Sequence, residues 1–426
     1  MSNYNNKMPL GIYIHFPFCV RKCRYCDFLS FPVGEYDAPA SCKEGRAIYT
    51  VDEHIDFEAY MNRLQDEVDC CAATFADTFY IDSVFFGGGT PSLIAPVRIE
   101  EIMETMYMYF SFAHDAEVTL ECNPGTVDEE KLREFKAAGI NRLSIGVQSF
   151  NDSTLAYLGR IHDAQTAIET VESAKSAGFT NISIDLMFGI PGQDLQMWEA
   201  DVDQALALDL KHISMYSLQV EEDTDIFDEV FSGSVDLPDE IEDRRMYHLG
   251  IEKLARFGYE QYEISNFALP GYESRHNIKY WTLDDYLGLG LGAHSFIDGV
   301  RFFNTESMVD YLSSYMPIQM VTVETDRTME DEMSEFVFLG LRQNVGISLK
   351  DFEYRFGKNW DEVYGYDTDK LVLRGLLEHS GDRLRLTELG RDLANQVFVE
   401  FVAHDTHDLH DLMGAELLPD EEDGLF

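Results

Sequence analysis

Three cysteines within eight residues carry the strongest chemical signal in this 426-residue chain. Cys19, Cys23 and Cys26 form a Cys-x3-Cys-x2-Cys pattern directly after a first β-prone run. Thiolates this close in sequence share one site. A structural zinc wants a fourth Cys or His nearby. Iron–sulfur clusters ordinarily take four thiolates, so three thiolates on a [4Fe–4S] cube suggest one open iron that can chelate a ligand. Zinc and a redox thiol stand as the alternative readings. Cys42, Cys70, Cys71 and Cys122 have no such spacing and read as ordinary thiols. Seven cysteines is an odd count, and MSNYNNKMPL contains no apolar leader. Both observations point to a reduced, cytoplasmic compartment rather than a secreted disulfide framework.

The elements that must position these thiols follow a βα rhythm. Short β-rich runs at 11–15, 83–86, 118–121, 143–147, 182–186 and 213–218 alternate with helical patterns. Thr126-Val-Asp-Glu129 reads as a capping box, and Gly139, Gly178 and Gly258 are placed to end helices. Such alternation predicts parallel βαβ units and an α/β fold, an open or partial (β/α)6 barrel. Each run reads as apolar and then stops at a polar or glycine residue. The stops are Gly87-Gly-Gly-Thr-Pro91, Glu121, Gln148, Asp185 and, near the sixth strand, Gln219. In parallel α/β folds the C-terminal strand ends form the active face, so these groups are expected at one mouth.

Beyond about residue 325 the pattern changes. Helical patterns at 329–342, 349–356 and 368–379 precede a hairpin-like SGDRLRLT, and a helix is expected at 388–401. The reading is a barrel domain at 1–300, a smaller, mostly helical winged-helix-like domain at 325–403, and an acidic tail at 404–426. His404, His407 and His410 recur every third residue in that tail, which reads as solvated chain rather than a metal site. Asp plus Glu number 78 against 32 Lys plus Arg, a formal charge of −46. Such a surface repels phosphate backbones and anionic headgroups, which excludes a nucleic-acid partner. No apolar run reaches membrane-spanning length, so an integral membrane protein is not expected.

The triad after the first strand, followed by Gly87-Gly-Gly-Thr-Pro91, resembles the radical S-adenosylmethionine (SAM) superfamily. YIHFPFC, ECNPGT, GVQSFND, LGRIH, IDLMFGIPGQ and YSLQVE then occur in order. Together they resemble the oxygen-independent coproporphyrinogen III oxidases and their heme-chaperone relatives, over roughly residues 10–300. The resemblance implies a partial (β/α)6 radical SAM barrel whose open iron binds the amino and carboxylate groups of S-adenosyl-L-methionine. It also implies an electron donor such as flavodoxin or ferredoxin, whose electron splits the sulfonium into methionine and a 5′-deoxyadenosyl radical. Tyr13 and Tyr25 would lie near the adenosyl group. Gly88, Gly89 and Thr90 would present backbone and hydroxyl groups to the methionine end, where glycine permits close approach. Glu121 would accept from the ammonium or ribose, Arg160 would pair with the carboxylate, and Gln148 and Asp185 would bind ribose hydroxyls. Gln219 and Phe296 match further adenosyl contacts more loosely.

Within that family the sequence resembles the chaperone branch. The oxidases place another cysteine two residues after the triad, where this chain has Cys26-Asp27-Phe28. They also carry a long N-terminal extension, whereas twelve residues precede Tyr13 here. His276-Asn-Ile-Lys-Tyr280-Trp281 matches a His-Asn-x-x-Tyr-Trp motif of the chaperones, which bind heme and pass it to apo-hemoproteins. His276 would offer an imidazole to heme iron, and Tyr280 and Trp281 flat faces to the macrocycle. His294 is a second candidate. The alternative activity is oxidative decarboxylation of two propionates of coproporphyrinogen III in porphyrin biosynthesis.

Overall fold

The computed structural model describes residues 7–32, 48–49, 54–55, 57–314 and 321–402. Cys42 and the histidines of the expected tail lie outside them. The chain divides into two compact units, Met1–Thr325 with Arg342–Val345, and Asp326–Leu341 with Gly346–Phe426.

The first unit opens with strands and helices that largely alternate and closes with antiparallel strands. Its elements are β1 (Met8–Phe16), α1 (Phe57–Phe75), β2 (Phe79–Gly88), α2 (Pro96–Tyr109), β3 (Phe112–Cys122) and α3 (Glu129–Ala137). They continue as β4 (Arg142–Gln148), α4 (Ala164–Ser176), β5 (Asn181–Phe188), α5 (Leu195–Ala207), β6 (His212–Ser217) and α6 (Glu240–Arg256). Then come β7 (Glu260–Glu263), β8 (Asn266–Ala268), α7 (Arg275–Thr282), β9 (Tyr286–Leu289), β10 (His294–Ile297), β11 (Val300–Asn304) and β12 (Val321–Val323). The sheet order is β7-β8-β6-β5-β4-β3-β2-β1-β9-β10-β11-β12. Strands β1 to β6 pair in parallel with their sequential neighbours, β9 joins β1 in parallel, and the flanking strands are antiparallel. The result is a partial (β/α)6 barrel. β1 and β6 lie apart in the sheet, so the arc stays open.

The strands are not uniformly apolar, as the sequence reading had them. Leu10, Ile12, Ile14 and Phe16 of β1, with Leu143, Ile145 and Val147 of β4, are buried in the core shared with the helices. The alternate positions face the lumen and are polar or aromatic, because strand side chains point to opposite faces in turn. One cross-strand row runs Gly288–Tyr13–Phe85–Thr119–Arg142–Asn181.

Helix ends follow the sequence in most places. Gly139, Gly178 and Gly258 have φ of +109°, +90° and +86°, the left-handed conformation that glycine tolerates at a helix end. The capping box does not form. Asp128 is the N-cap of α3 and accepts from the Lys131 N–H, while the Thr126 hydroxyl donates to the Asn123 carbonyl at 2.7 Å.

The second unit contains α8 (Met329–Leu341), β13 (Ile347–Ser348), α9 (Leu349–Phe356), α10 (Trp360–Leu373), β14 (Leu377–Ser380), β15 (Arg383–Leu386), α11 (Glu388–Asp392) and α12 (Ala394–Val399). Helices and a three-stranded wing give the winged-helix-like outline. The third helix begins at Trp360 rather than 368, and Leu377–Ser380 is strand. The final helix breaks at Leu393, whose φ and ψ of −115° and 30° are not helical.

Candidate cofactor site

The loop after β1 holds all three cysteines, and tertiary contacts fix its path. Arg24 N–H donates to the Leu158 carbonyl at 3.1 Å, and Ile226 N–H to the Arg24 carbonyl at 3.2 Å. The Arg24 guanidinium lies 5.0 Å over the Tyr157 ring and pairs with Glu229 at 2.5 Å. Arg21 donates to the Gly159 carbonyl at 2.6 Å. Residues well over a hundred positions downstream thus clamp both flanks of Cys23. On the inner side, the Gly89 and Thr90 N–H groups donate to the Phe16 and Phe18 carbonyls at 2.8 and 2.7 Å. A Cβ on Gly89 would lie 2.6 Å from the Phe18 carbonyl oxygen. The glycine is required there by the approach of two strands. The N–H groups expected to meet the methionine end instead tie the cysteine loop to β2.

A cavity of about 140 Å³ opens beside the thiols. Its walls include Cys19, Cys23, Cys26, Tyr25, Gly88, Gly89, Thr90, Glu121, Gln148, Arg160 and Asp185. Eleven residues expected as cluster or cofactor contacts, from four strand ends and the loops beside them, therefore meet in one place. Ser30, Asn123, Ser144 and Gly146 also line it and were not read from the sequence. Asn123 follows Glu121 within ECNPGT, and Ser144 and Gly146 fall on alternate residues of β4; strand alternation was the signal available.

The polar groups are arranged around sulfur and carboxylate chemistry. The Thr90 hydroxyl donates to Cys19 Sγ and Arg160 Nη1 to Cys23 Sγ, each at 3.4 Å. Arg160 also donates to the Gly146 carbonyl at 2.7 Å, and its Nε is buried without a partner. Burial pushes the Cys26 thiol up to about 11 and raises Cys19, so these thiols need a cationic ligand to ionise. Burial, then the neighbouring Asp185, push Glu121 up to about 8, although Gly88 N–H donates to it at 3.1 Å. Burial likewise raises Asp185. Gln148 has a φ of +68°, a strained conformation that turns the end of β4 towards the cavity.

This set fits a three-thiolate cluster. Two donors already point at the sulfurs, and an unsatisfied guanidinium N–H stands beside the thiols, where a chelating ligand's carboxylate would come. Among the described residues, no three His, Cys, Asp or Glu side chains converge to hold a single ion. The six described cysteines are all free thiols.

Other expected residues fall outside the cavity. Tyr13 lies in the lumen beneath it. Its hydroxyl donates to His15 Nδ1 at 3.0 Å, and His15 Nε2 donates to the Leu29 carbonyl at 2.9 Å, so it reaches the cysteine loop through His15. Gln219 is exposed beyond the end of β6, and Phe296 faces the lumen from β10, stacked near Tyr286. His276 is fully buried. Its Nδ1 pairs with the Ser83 hydroxyl at 3.0 Å and its Nε2 with the Tyr280 hydroxyl at 2.9 Å. Both ring nitrogens are thus engaged by hydroxyl groups. Tyr280 and Trp281 are half-buried, with the Arg342 guanidinium 4.5 Å over the Trp281 ring. His294 is exposed and stacks on Phe303 at 5.0 Å.

Six βα units with three thiols after the first strand and a glycine-rich second strand end define a radical SAM protein. The profile of the Radical SAM superfamily matches residues 13–205, and that of the HemN C-terminal domain matches 328–393. The heme chaperone HemW of Bacillus subtilis (strain 168) is 36% identical over 394 residues, covering 92% of this chain and 98% of the relative. HemW of Escherichia coli (strain K12) is 33% identical over 401 residues, covering 93% and 98%. Coproporphyrinogen III oxidase (HemN) from Escherichia coli superposes with a TM-score of 0.76 at 21% identity, over 94% of this chain and 91% of that one, a likeness of fold. The chain belongs to the heme chaperone HemW family. Among the described residues, no helix is long and apolar enough to cross a membrane.

Proposed function

We propose that this protein binds heme and hands it to apo-hemoproteins in the cytoplasm, while keeping a [4Fe–4S] cluster and SAM in the cavity beside the triad. The observation that carries this reading is the likeness to heme chaperones over 92% of the chain. When bound, the cluster supplies an electron, from a donor such as flavodoxin or ferredoxin, for cleavage of the sulfonium. Cys19, Cys23 and Cys26 hold it, and Thr90 and Arg160 offset the charge on its sulfurs. Arg160 Nε meets the SAM carboxylate, and Glu121, Gln148 and Asp185 take its amino and hydroxyl groups. His294, the exposed histidine of the two candidates, would offer its imidazole to heme iron, and His276 supports the lumen floor through Ser83 and Tyr280.

Heme titration of anaerobically reconstituted protein, followed by transfer to an apo-hemoprotein, tests this. His294→Ala should shift or abolish the Soret change, and His276→Ala should leave the ligand signature in place. Absence of heme binding by the wild-type protein refutes the reading. The intact cavity motivates the oxidase as a second activity. Protoporphyrinogen formed from coproporphyrinogen III with reductant and SAM would establish it in place of the chaperone.

A further inference from the structure

We infer that the barrel lumen below the cofactor cavity is a binding site for a flat apolar ligand bearing a carboxylate, with Arg142 as the carboxylate anchor. This rests on the heme reading above and names the group that would hold a propionate.

Arg142 is 2% exposed and faces the lumen, since its neighbours Leu143 and Ile145 lie in the helix-facing core. Its Nε and Nη1 have no hydrogen-bond partner. Among the described residues it forms no ion pair, whereas the other buried lumen cation, Lys279, pairs with Asp82 at 2.9 Å. A buried guanidinium without a directly bonded counter-ion is costly, and the carboxyl groups of Glu121 and Asp185 act on it only through space. Evolved interiors rarely leave several adjacent polar atoms unpaired. Here the residues that carry the unpaired atoms are neighbours in the sheet. Thr119 Oγ1 on β3 and Asn181 Oδ1 on β5 are also buried without partners, and both residues are register partners of Arg142. Arg142 Nε and Nη1 and the Thr119 hydroxyl can donate to a planar anion, for which the forked guanidinium is suited, whereas Asn181 Oδ1 is an acceptor and takes no part.

The same row continues into aromatic surface. Phe85 pairs in register with Thr119, and Tyr13 with Phe85, their rings stacked at 6.2 Å and 29°. Arg142 is near enough to the far wall to depress His276, after burial and Lys279. Glu121 and Asp185 both lie near enough to Arg142 to feel its charge, and burial raises both carboxyl groups, which weakens their competition for the guanidinium. An apolar half and a cationic half around one lumen match an amphipathic ring with acid arms. No part of the proposed SAM contact set includes Arg142.

The test compares heme with heme dimethyl ester, whose carboxylates are masked, on the wild type and on Arg142→Gln and Arg142→Lys. Iron content and SAM binding report whether each variant is folded. The wild type should prefer the free acid by about tenfold to hundredfold, the scale of a charge-assisted contact. Arg142→Gln should abolish that preference and leave ester binding unchanged, and Arg142→Lys should restore part of it. Equal binding of acid and ester by the wild type, as when water alone fills the row, overturns the inference but not the heme reading. A preference that survives Arg142→Gln also overturns it. If Arg142→Gln does not fold, an Arg142→Lys variant with undiminished preference decides against it. Wild type that binds neither compound overturns both readings.

Discussion

Replacing Gly89 with alanine tests whether the cysteine loop is held by strand approach or by the cluster itself. The added Cβ would stand 2.6 Å from the Phe18 carbonyl oxygen and 2.9 Å from that of Phe16. Ordinary contact needs about 3.4 Å, so the loop must retreat by several tenths of an ångström. Both obstructing atoms are backbone, and no side chain can swing aside. The same carbonyls accept from Gly89 and Thr90, so retreat weakens two hydrogen bonds of roughly 1 kcal/mol each. Overpacking adds about 1–3 kcal/mol, for a total of about 2–5 kcal/mol. That strain falls on the residues flanking Cys19. Gly89→Ala should therefore lose stability in denaturant melts and hold less than half the iron and sulfide of the wild type after anaerobic reconstitution. Gly365→Ala is the control, because Gly365 lies within a helix and the nearest atom to its added Cβ, the Asp361 Cβ, stands at ordinary contact, 3.5 Å. A Gly89→Ala protein with full cluster content and an unchanged midpoint would refute the argument.

Glu121 gives a pH signature. If SAM requires its carboxylate, a proton affinity at about 8 costs roughly one log unit of SAM affinity at pH 7 and about two at pH 6. Affinity measured by calorimetry should rise from pH 6 and level off above 8, and Glu121→Gln should lose that component of the slope, with titration of SAM's own amine common to both. Raised in the fold, the same carboxyl also stabilises the protein at low pH and ceases to as pH climbs from its unfolded value through about 8; Glu121→Gln should flatten that decline in thermal melts. Asp128→Ala removes the N-cap of α3 and should cost about 1 kcal/mol, whereas Thr126→Ser, which keeps the hydroxyl, should cost little.

The site was legible in the sequence where one residue's neighbours in the chain are also its neighbours in space. Cys19, Cys23 and Cys26 lie in one loop, and the strand-end residues Gly88, Glu121, Gln148 and Asp185 converge because parallel strands in sequence order present their C-terminal ends on one side. Residues with distant partners were less legible. Thr126 looked like a cap, but its hydroxyl is drawn to Asn123 and to Ser92 at 2.6 Å, leaving Asp128 to the helix. His276 looked like a ligand, but Ser83, 193 residues away, takes one nitrogen.

The sequence by itself determined the three-cysteine loop, the six βα units and the order in which their ends deliver polar groups, since spacing and periodicity are local properties. Only the tertiary structure decided which face of each strand looks inward. Cross-strand register set Arg142 beside Thr119 and Asn181, buried one histidine and left another in solvent, because burial and pairing are fixed by residues that meet only once the sheet has curved.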